Sequence, residues 1–389
     1  MSNHKRKIQD TDDATLLPPL KQSKVEDKEN NKTRVTQYTL SLETSPAEPS
    51  PAIGQPQQLT CFSYTPNREL RFDSSALKYY VPAPINADLG YRYEHWTKRP
   101  EERGRIDSLL RAIGQDHIVG ERKKGAFICW RGVMTNCIYA EEHTTDTALA
   151  EKENMAPRQR RMTYYGYSFE SFSTWEEPLQ RKEQHLERDR TRCWSGDVDT
   201  NVQFCSVVKT KIGAERMILG GEVDCCKDRY TGQPNTYVEL KTSMVIRNAQ
   251  DEERFERKLL KFWAQSFLLG VPEIVVGFRS HQGRITTLQT FETLALPRMV
   301  RGKPALGIPN RASYLLKNKD ATDISSSPTS ARRPEEVENM DVWRLEIRPG
   351  TRMVTLYKLE PTEVEEVVND EDRVGFLPTW FWNAVTDKV

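Results

Sequence analysis

Between residues 201 and 291, five strand-length apolar segments are interrupted by a single long amphipathic helix, and this spacing limits the fold more than any other feature of the chain. Segments 201–210, 215–224 and 236–242 are short, apolar and separated by turn residues, so they read as strands. Residues 251–269 (DEERFERKLLKFWAQSFLL) repeat apolar positions at helical spacing. They open on acids, which the helix dipole favours, and stop at Gly270 with Pro272 beyond. Two strands follow at 274–278 and 284–291, with Gly283 placed for a hairpin turn. Further strands are expected at 59–64, 79–82, 126–130, 162–169, 341–347 and 352–358. A helix is expected over 101–114, closed by Gly114, and another near the C-terminus. No regular strand–helix alternation and no internal repeat is present. The order predicts an α+β fold, one domain over 56–389 made of mixed, twisted sheets flanked by helices.

Apolar residues are 37% and charged residues 29% of the chain, which is polar for a folded domain and implies stretches outside the core. Residues 1–55 are expected to be a disordered tail, and 317–338 an exposed loop. No apolar run approaches the ~18 residues that span a bilayer, so no membrane association is expected. The opening MSNHKRKIQDTDD lacks an apolar stretch, which argues against a secretory signal. Seven cysteines form no framework, and Cys225 and Cys226 are adjacent, so a reducing compartment, cytosol or nucleus, fits best. His4-Lys5-Arg6-Lys7 reads either as part of a nuclear localisation signal or as a solvated charge cluster. A net charge of +1 argues against a general coat for duplex nucleic acid, yet allows a local basic groove beside acids. The six histidines show no zinc-ligand spacing.

The chemistry concentrates in 217–242. Glu222 and Asp224 are two apart on an expected strand and so share a face; Glu239 and Lys241 repeat that geometry on the next. The gap between them holds Thr231-Gly232-Gln233-Pro234-Asn235, a turn signal, so the two strands are expected to pair as a hairpin. Three carboxylates and one ammonium would then share a face. Such a cluster repels itself unless a cation joins it, and hard Mg²⁺ or Mn²⁺ prefers oxygen ligands. A metal so held suits phosphoryl transfer, with Lys241 placed for the developing charge. A solvated hairpin with cross-strand ion pairs is the competing account. Val223, Val238 and Leu240 face the core in either case.

An acid on one strand followed by acid-x-Lys on the next resembles the PD-(D/E)XK nucleases. Further segments narrow the likeness: Phe127-Ile128-Cys129-Trp130-Arg131-Gly132, Tyr164-Tyr165-Gly166-Tyr167-Ser168-Phe169-Glu170, Gly220-Gly221-Glu222-Val223-Asp224, Glu239-Leu240-Lys241-Thr242, and the helix Lys261–Pro272 carrying Gln265. In this order they resemble the motifs of the eukaryotic decapping nuclease family, from about Leu59 to the C-terminus. The resemblance implies that Glu222, Asp224, Glu239 and the Leu240 carbonyl bind one or two divalent cations. It also implies that Glu170 contributes directly or through water, that Lys241 and Gln265 contact the scissile phosphate or the water, and that Arg131 holds RNA phosphates. On the residues alone, Arg131 reads equally as a surface ion pair, and Glu170 and Gln265 as ordinary polar positions. Tyr164, Tyr165, Tyr167, Trp263 and Phe267 read as core. The activity implied is removal of a 5′-triphosphate, an incomplete cap or an NAD cap from RNA, leaving a 5′-monophosphate, in the nucleus beside a 5′→3′ exoribonuclease partner. A DNA nuclease and a non-catalytic stabiliser of an exoribonuclease are the alternatives.

Overall fold

A computed structural model describes residues 24–25, 34–35, 37–41, 53–103, 105–114, 127–130, 139–140, 142–178, 194–213, 215–299, 342–347, 353–368 and 371–386. The stretch expected to be a disordered tail holds strand pairing: residues 24–25 pair with 34–35, and an edge strand, β1 (Gln37–Ser41), pairs with β15 (Met353–Lys358), which pairs in turn with β14 (Trp343–Ile347). The expected loop 317–338 lies outside the described residues.

The first large sheet runs β3 (Leu70–Arg71), β2 (Gln57–Tyr64), β8 (Gln203–Ile212), β9 (Glu215–Glu222), β5 (Phe127–Trp130), β6 (Tyr139–Ala140). Its first four strands are antiparallel and its last two join in parallel. The central β8 is buried along nearly its whole length, because both faces are covered. On one face lies α1 (Asp107–Ile113), which inserts Leu109, Leu110 and Ile113 against Phe62, Val207 and Ile218. Each fully buried aliphatic side chain there contributes roughly 1.5–3 kcal/mol. The helix is shorter than the expected 101–114, but Gly114 does end it, its N–H meeting the Leu110 carbonyl.

The second large sheet runs β13 (Ile285–Glu292), β12 (Glu273–Arg279), β11 (Tyr237–Met244), β10 (Cys225–Cys226), β4 (Tyr79–Tyr80), β7 (Thr174–Trp175). Strands β11 and β12 are parallel and therefore need a crossover, which α4 (Ala249–Leu269) supplies. Asn248 caps α4 by accepting the Asp251 N–H, and Gly270 ends it in the left-handed region at φ 79°. Phe255, Leu259 and Phe262 of α4 cover Ile274, Val276 and Phe278 on one face. The other face carries Val238, Leu240 and Val275 against Tyr164, Tyr165 and Phe169.

Those aromatics correct the expected strand at 162–169, which lies in α3 (Pro157–Ser173). Aromatic residues favour strands in isolation, but Tyr164, Tyr165, Ser168 and Phe169 are buried at helical spacing, and Pro157 sits at the first turn. Packing against β11 overrides propensity. A second helix, α2 (Asp146–Glu153), precedes it. Near the C-terminus α5 (Pro361–Val368) and α6 (Thr379–Thr386) fill the expected helical segment. Among the described residues no helix is long and apolar enough to cross a membrane, and the five described cysteines are free thiols.

Candidate active site

The expected hairpin between 215–224 and 236–242 does not form. Strand β9 stays in the first sheet, while β11 belongs to the second. The chain changes sheet at Val223-Asp224, where the Val223 N–H meets the Phe204 carbonyl. Residues Cys225 and Cys226 then pair with Val238 and Tyr237. The turn residues 231–235 thus serve the short β10–β11 pair instead. Continuing that register places Asp224 opposite Glu239, so the acids still converge, across a seam between sheets. The turn signal alone gave no sign of which strand would return against β11.

The convergence is close. Asp224 Oδ2 accepts the Leu240 N–H at 2.6 Å. Glu239 is wholly buried, and Lys241 Nζ lies 2.6 Å from its Oε1, the two side chains sharing one face of β11 as expected. Val223, Val238 and Leu240 face the core, also as expected. Glu170 arrives from the last turn of α3, which replaces its expected place at a strand end.

Mutual charge is visible in these groups. Burial, then the Asp224 and Glu222 charges, push the Glu170 carboxyl well above its usual range, with Lys241 opposing. Burial, then the Glu239 charge, push Asp224 up to about 7, while Lys241 and the Leu240 N–H pull it down. Four carboxylates therefore share one nearby ammonium, and the set takes up either protons or a cation. All the donors are oxygens, which suits a hard divalent ion. Among the described residues no three acidic, histidine or cysteine side chains already stand as a ready-made metal cage.

Gln265 is half-buried on α4. Lys258, two turns earlier on the same helix, reaches Ser243 of β11 at 3.4 Å. A seven-residue step returns to nearly the same helix face about 10 Å on, and α4 runs back along β11. Gln265 is therefore carried toward the level of Glu239 and Lys241. Arg131 lies outside the described residues; Ile128 and Cys129 before it are buried in the first sheet.

Glu170, Glu222 and Asp224 border a cavity of about 250 Å³. Arg160, Thr163, Tyr167 and Glu170 line it as a stripe of α3 at helical spacing, and Thr174 lines it from the start of β7. Glu222 and Asp224 line it from the sheet seam, and Lys98, Arg99 and Lys152 add positive charge. Trp96 and Tyr167 form an aromatic wall, centroids 5.9 Å apart, with the Arg160 guanidinium 6.0 Å from the Trp96 ring. Tyr164 and Tyr165 are core, as expected, whereas Tyr167 faces the cavity. Trp263 and Phe267, expected in the core, are only half-buried and stack on each other, with Trp263 packed against the α4 cluster. Arg160, Lys152 and Trp96 escaped the sequence reading. The run Arg158-Gln159-Arg160-Arg161 was a signal for Arg160, but only a helical period places it with Tyr167 and Glu170.

Comparison with known proteins identifies the family and the fold. The family model described as RAI1 like PD-(D/E)XK nuclease matches residues 54–137 and 134–382. The decapping nuclease RAI1 of Mycosarcoma maydis is 33% identical over 461 residues, covering 90% of this chain and 91% of that protein. Schizosaccharomyces pombe Rai1, solved in complex with 3′-FADP, superposes with a TM-score of 0.64 at 28% identity, covering 83% of this chain and all of that one. Candida albicans Rai1, solved with pU5 and Mn²⁺, superposes with a TM-score of 0.67 at 24% identity, over 89% of this chain and 97% of that one. The α+β architecture with mixed sheets is theirs too, and the chain is a hydrolase that belongs to the RAI1-like PD-(D/E)XK nuclease family.

Proposed function

We propose that this protein is a divalent-metal-dependent RNA 5′-end decapping nuclease. It removes a 5′-triphosphate, an incomplete cap or an NAD cap and leaves a 5′-monophosphate. The observation that carries this reading is the meeting of Glu170, Glu222, Asp224, Glu239 and Lys241 beside a cavity with basic and aromatic walls. The relatives named as decapping nucleases, and the ligands 3′-FADP and pU5-Mn²⁺ in their solved relatives, support it.

Glu222, Asp224 and Glu239 would hold the cation, Mg²⁺ or Mn²⁺, with the Leu240 carbonyl and Glu170 completing its surroundings. When bound, such an ion supplies the positive charge that the ionised carboxylates lack and acidifies water. Lys241 sits beside Glu239 and offers its ammonium to the charge that grows on phosphorus. The Leu240 N–H fixes the Asp224 carboxylate, so that acid does not swing away. Gln265 orients the phosphate or the water from α4. Trp96 and Tyr167 provide faces on which an unpaired base stacks, and Arg160 and Arg99 hold phosphates. Arg131 is assigned the same role. Stacking surfaces and a narrow cavity favour single-stranded 5′ ends over duplex DNA.

We place the activity in the nucleus, upstream of a 5′→3′ exoribonuclease partner that needs the 5′-monophosphate product. The basic cluster His4-Lys5-Arg6-Lys7 supports that location. The test incubates the purified chain with 5′-triphosphate, capped and NAD-capped RNAs and a matched DNA, with and without Mg²⁺ or Mn²⁺. Metal-dependent release from RNA, leaving 5′-monophosphate, is expected. Release without metal, or none from any RNA, overturns the reading. Tagged chain with Lys5, Arg6 and Lys7 replaced by Ala reports on location, and co-purification reports on the partner.

A further inference from the structure

A second cavity, of about 390 Å³, opens where β11 and β12 end. Ser243, Met244, Arg247, Asp251, Lys258 and His281 contribute to its walls. These are the carboxyl ends of two parallel strands. Its charge is positive and incompletely balanced. Arg254 and Arg257 pair within α4, with Asp251 and Glu253. Lys258, by contrast, meets only the Ser243 hydroxyl, and the Arg247 guanidinium has no ion-pair partner among the described residues.

Behind the cavity lies a stronger imbalance. Arg279 stands beside Met244 in the sheet register and is only 6% exposed. Its guanidinium meets the Met244 thioether at 2.9 Å, the Met162 thioether at 3.3 Å and the Tyr165 ring at 5.1 Å. Its Nε has no hydrogen-bond partner among the described residues. Thioethers are weak acceptors, and a buried cation without an anion is costly. Burial and this Arg279 charge hold the Lys258 ammonium below its ordinary value. Arg279 faces α3, on the other side of the sheet from Ser243 and Lys258, so an anion in the cavity meets Lys258 and Arg247 directly and Arg279 only through its field.

The cavity is also in line with the active site. Glu239, Lys241 and Ser243 alternate onto one face of β11, so Ser243 lies about 7 Å beyond Lys241. We propose that this cavity binds a backbone phosphate of the RNA whose 5′ end occupies the carboxylate site, through Lys258, Arg247 and the Ser243 hydroxyl. The inference rests on the RNA reading of that site.

The test measures binding by fluorescence anisotropy in Ca²⁺, with 3′-labelled, 5′-phosphorylated RNAs of two and ten nucleotides. It compares the wild type with the double variant Lys258→Gln, Arg247→Gln. Both positions are on the surface of α4 and its leading loop, and neither belongs to the carboxylate site. For the ten-nucleotide RNA, the affinity should fall about tenfold, and the slope of log affinity against log salt should shrink by about 0.7, the value for one lost phosphate. The dinucleotide should bind both proteins alike. Unchanged binding of the longer RNA, or an equal loss for both lengths, overturns the proposal. So does inorganic phosphate stabilising the wild type against heat as much as the ten-nucleotide RNA does, because the site then takes a free anion. Failure of the dinucleotide to bind the wild type instead marks failure of the carboxylate-site reading.

Discussion

Replacing Lys241 by Met keeps most of the side-chain volume and removes the ammonium beside a wholly buried carboxylate. Glu239 must then remain charged without that cation or take up a proton. Breaking a buried pair from one side costs about 3–5 kcal/mol. Protonation sets a ceiling: for a glutamate with an ordinary value near 4.3, it costs about 3.7 kcal/mol at pH 7 and about 1.6 kcal/mol at pH 5.5. A carboxyl raised in the folded state favours folding at low pH and loses that contribution as pH rises, so the damage must grow with pH. At roughly 1.4 °C per kcal/mol for a domain of about 330 residues, the metal-free variant should melt about 5 °C below wild type at pH 7 and about 2 °C below at pH 5.5. Mn²⁺ should narrow the gap at pH 7, because a cation at the carboxylates replaces the missing charge. Differential scanning fluorimetry at both pH values, with and without Mn²⁺, reads all of this. An equal loss at the two pH values would refute the charge argument and leave lost packing as the cause.

Three further outcomes are expected. Glu222→Ala with Asp224→Ala should lower metal-dependent release of the RNA 5′ end by about a thousandfold while leaving the melting temperature near wild type, since two mutually repelled acids are removed; activity and fluorimetry on one preparation check it. Asp224, raised from an ordinary 3.8 to about 7, contributes up to about 4 kcal/mol below pH 4 that is lost as pH climbs through 7, so urea melts of metal-free protein should show stability falling between pH 5 and 7.5 and Asp224→Asn flattening that fall. Gly277→Ala places a methyl 2.5 Å from the Phe169 ring, next to Glu170, and should cost about 1–3 kcal/mol together with activity; Phe169→Leu in the same chain should recover part of both.

The sequence made the chemistry legible and left its architecture partly hidden. Alternation placed Glu239 and Lys241 on one face, and the structure keeps them there, because two-residue periodicity is a local property of a strand. Capping was equally local: Gly114, Gly270 and Gly283 stop or turn the chain where the pattern said. The partner of β11 was not local. A turn signal at 231–235 fits a short β10–β11 pair as well as a long hairpin, and only the packing of two sheets decides between them. The 162–169 segment misled for a related reason. Its tyrosines and phenylalanine favour strands alone, and the helix is stabilised by a surface, Val238, Leu240 and Val275, that lies far along the chain. With the helix went the view of Arg160, Tyr167 and Glu170 as one stripe.

The chain's change of sheet at Val223-Asp224 has a mechanical consequence. Glu222 is fixed to one sheet, Glu239 and Lys241 to the other, and Glu170 to a helix laid across the second. The spacing of the acids is therefore a gauge of how the two sheets are seated. A few tenths of an ångström of sliding between them would alter catalysis while leaving every strand intact. A protein gripping both sheets from outside would tune the rate at a distance, by stiffening the joint.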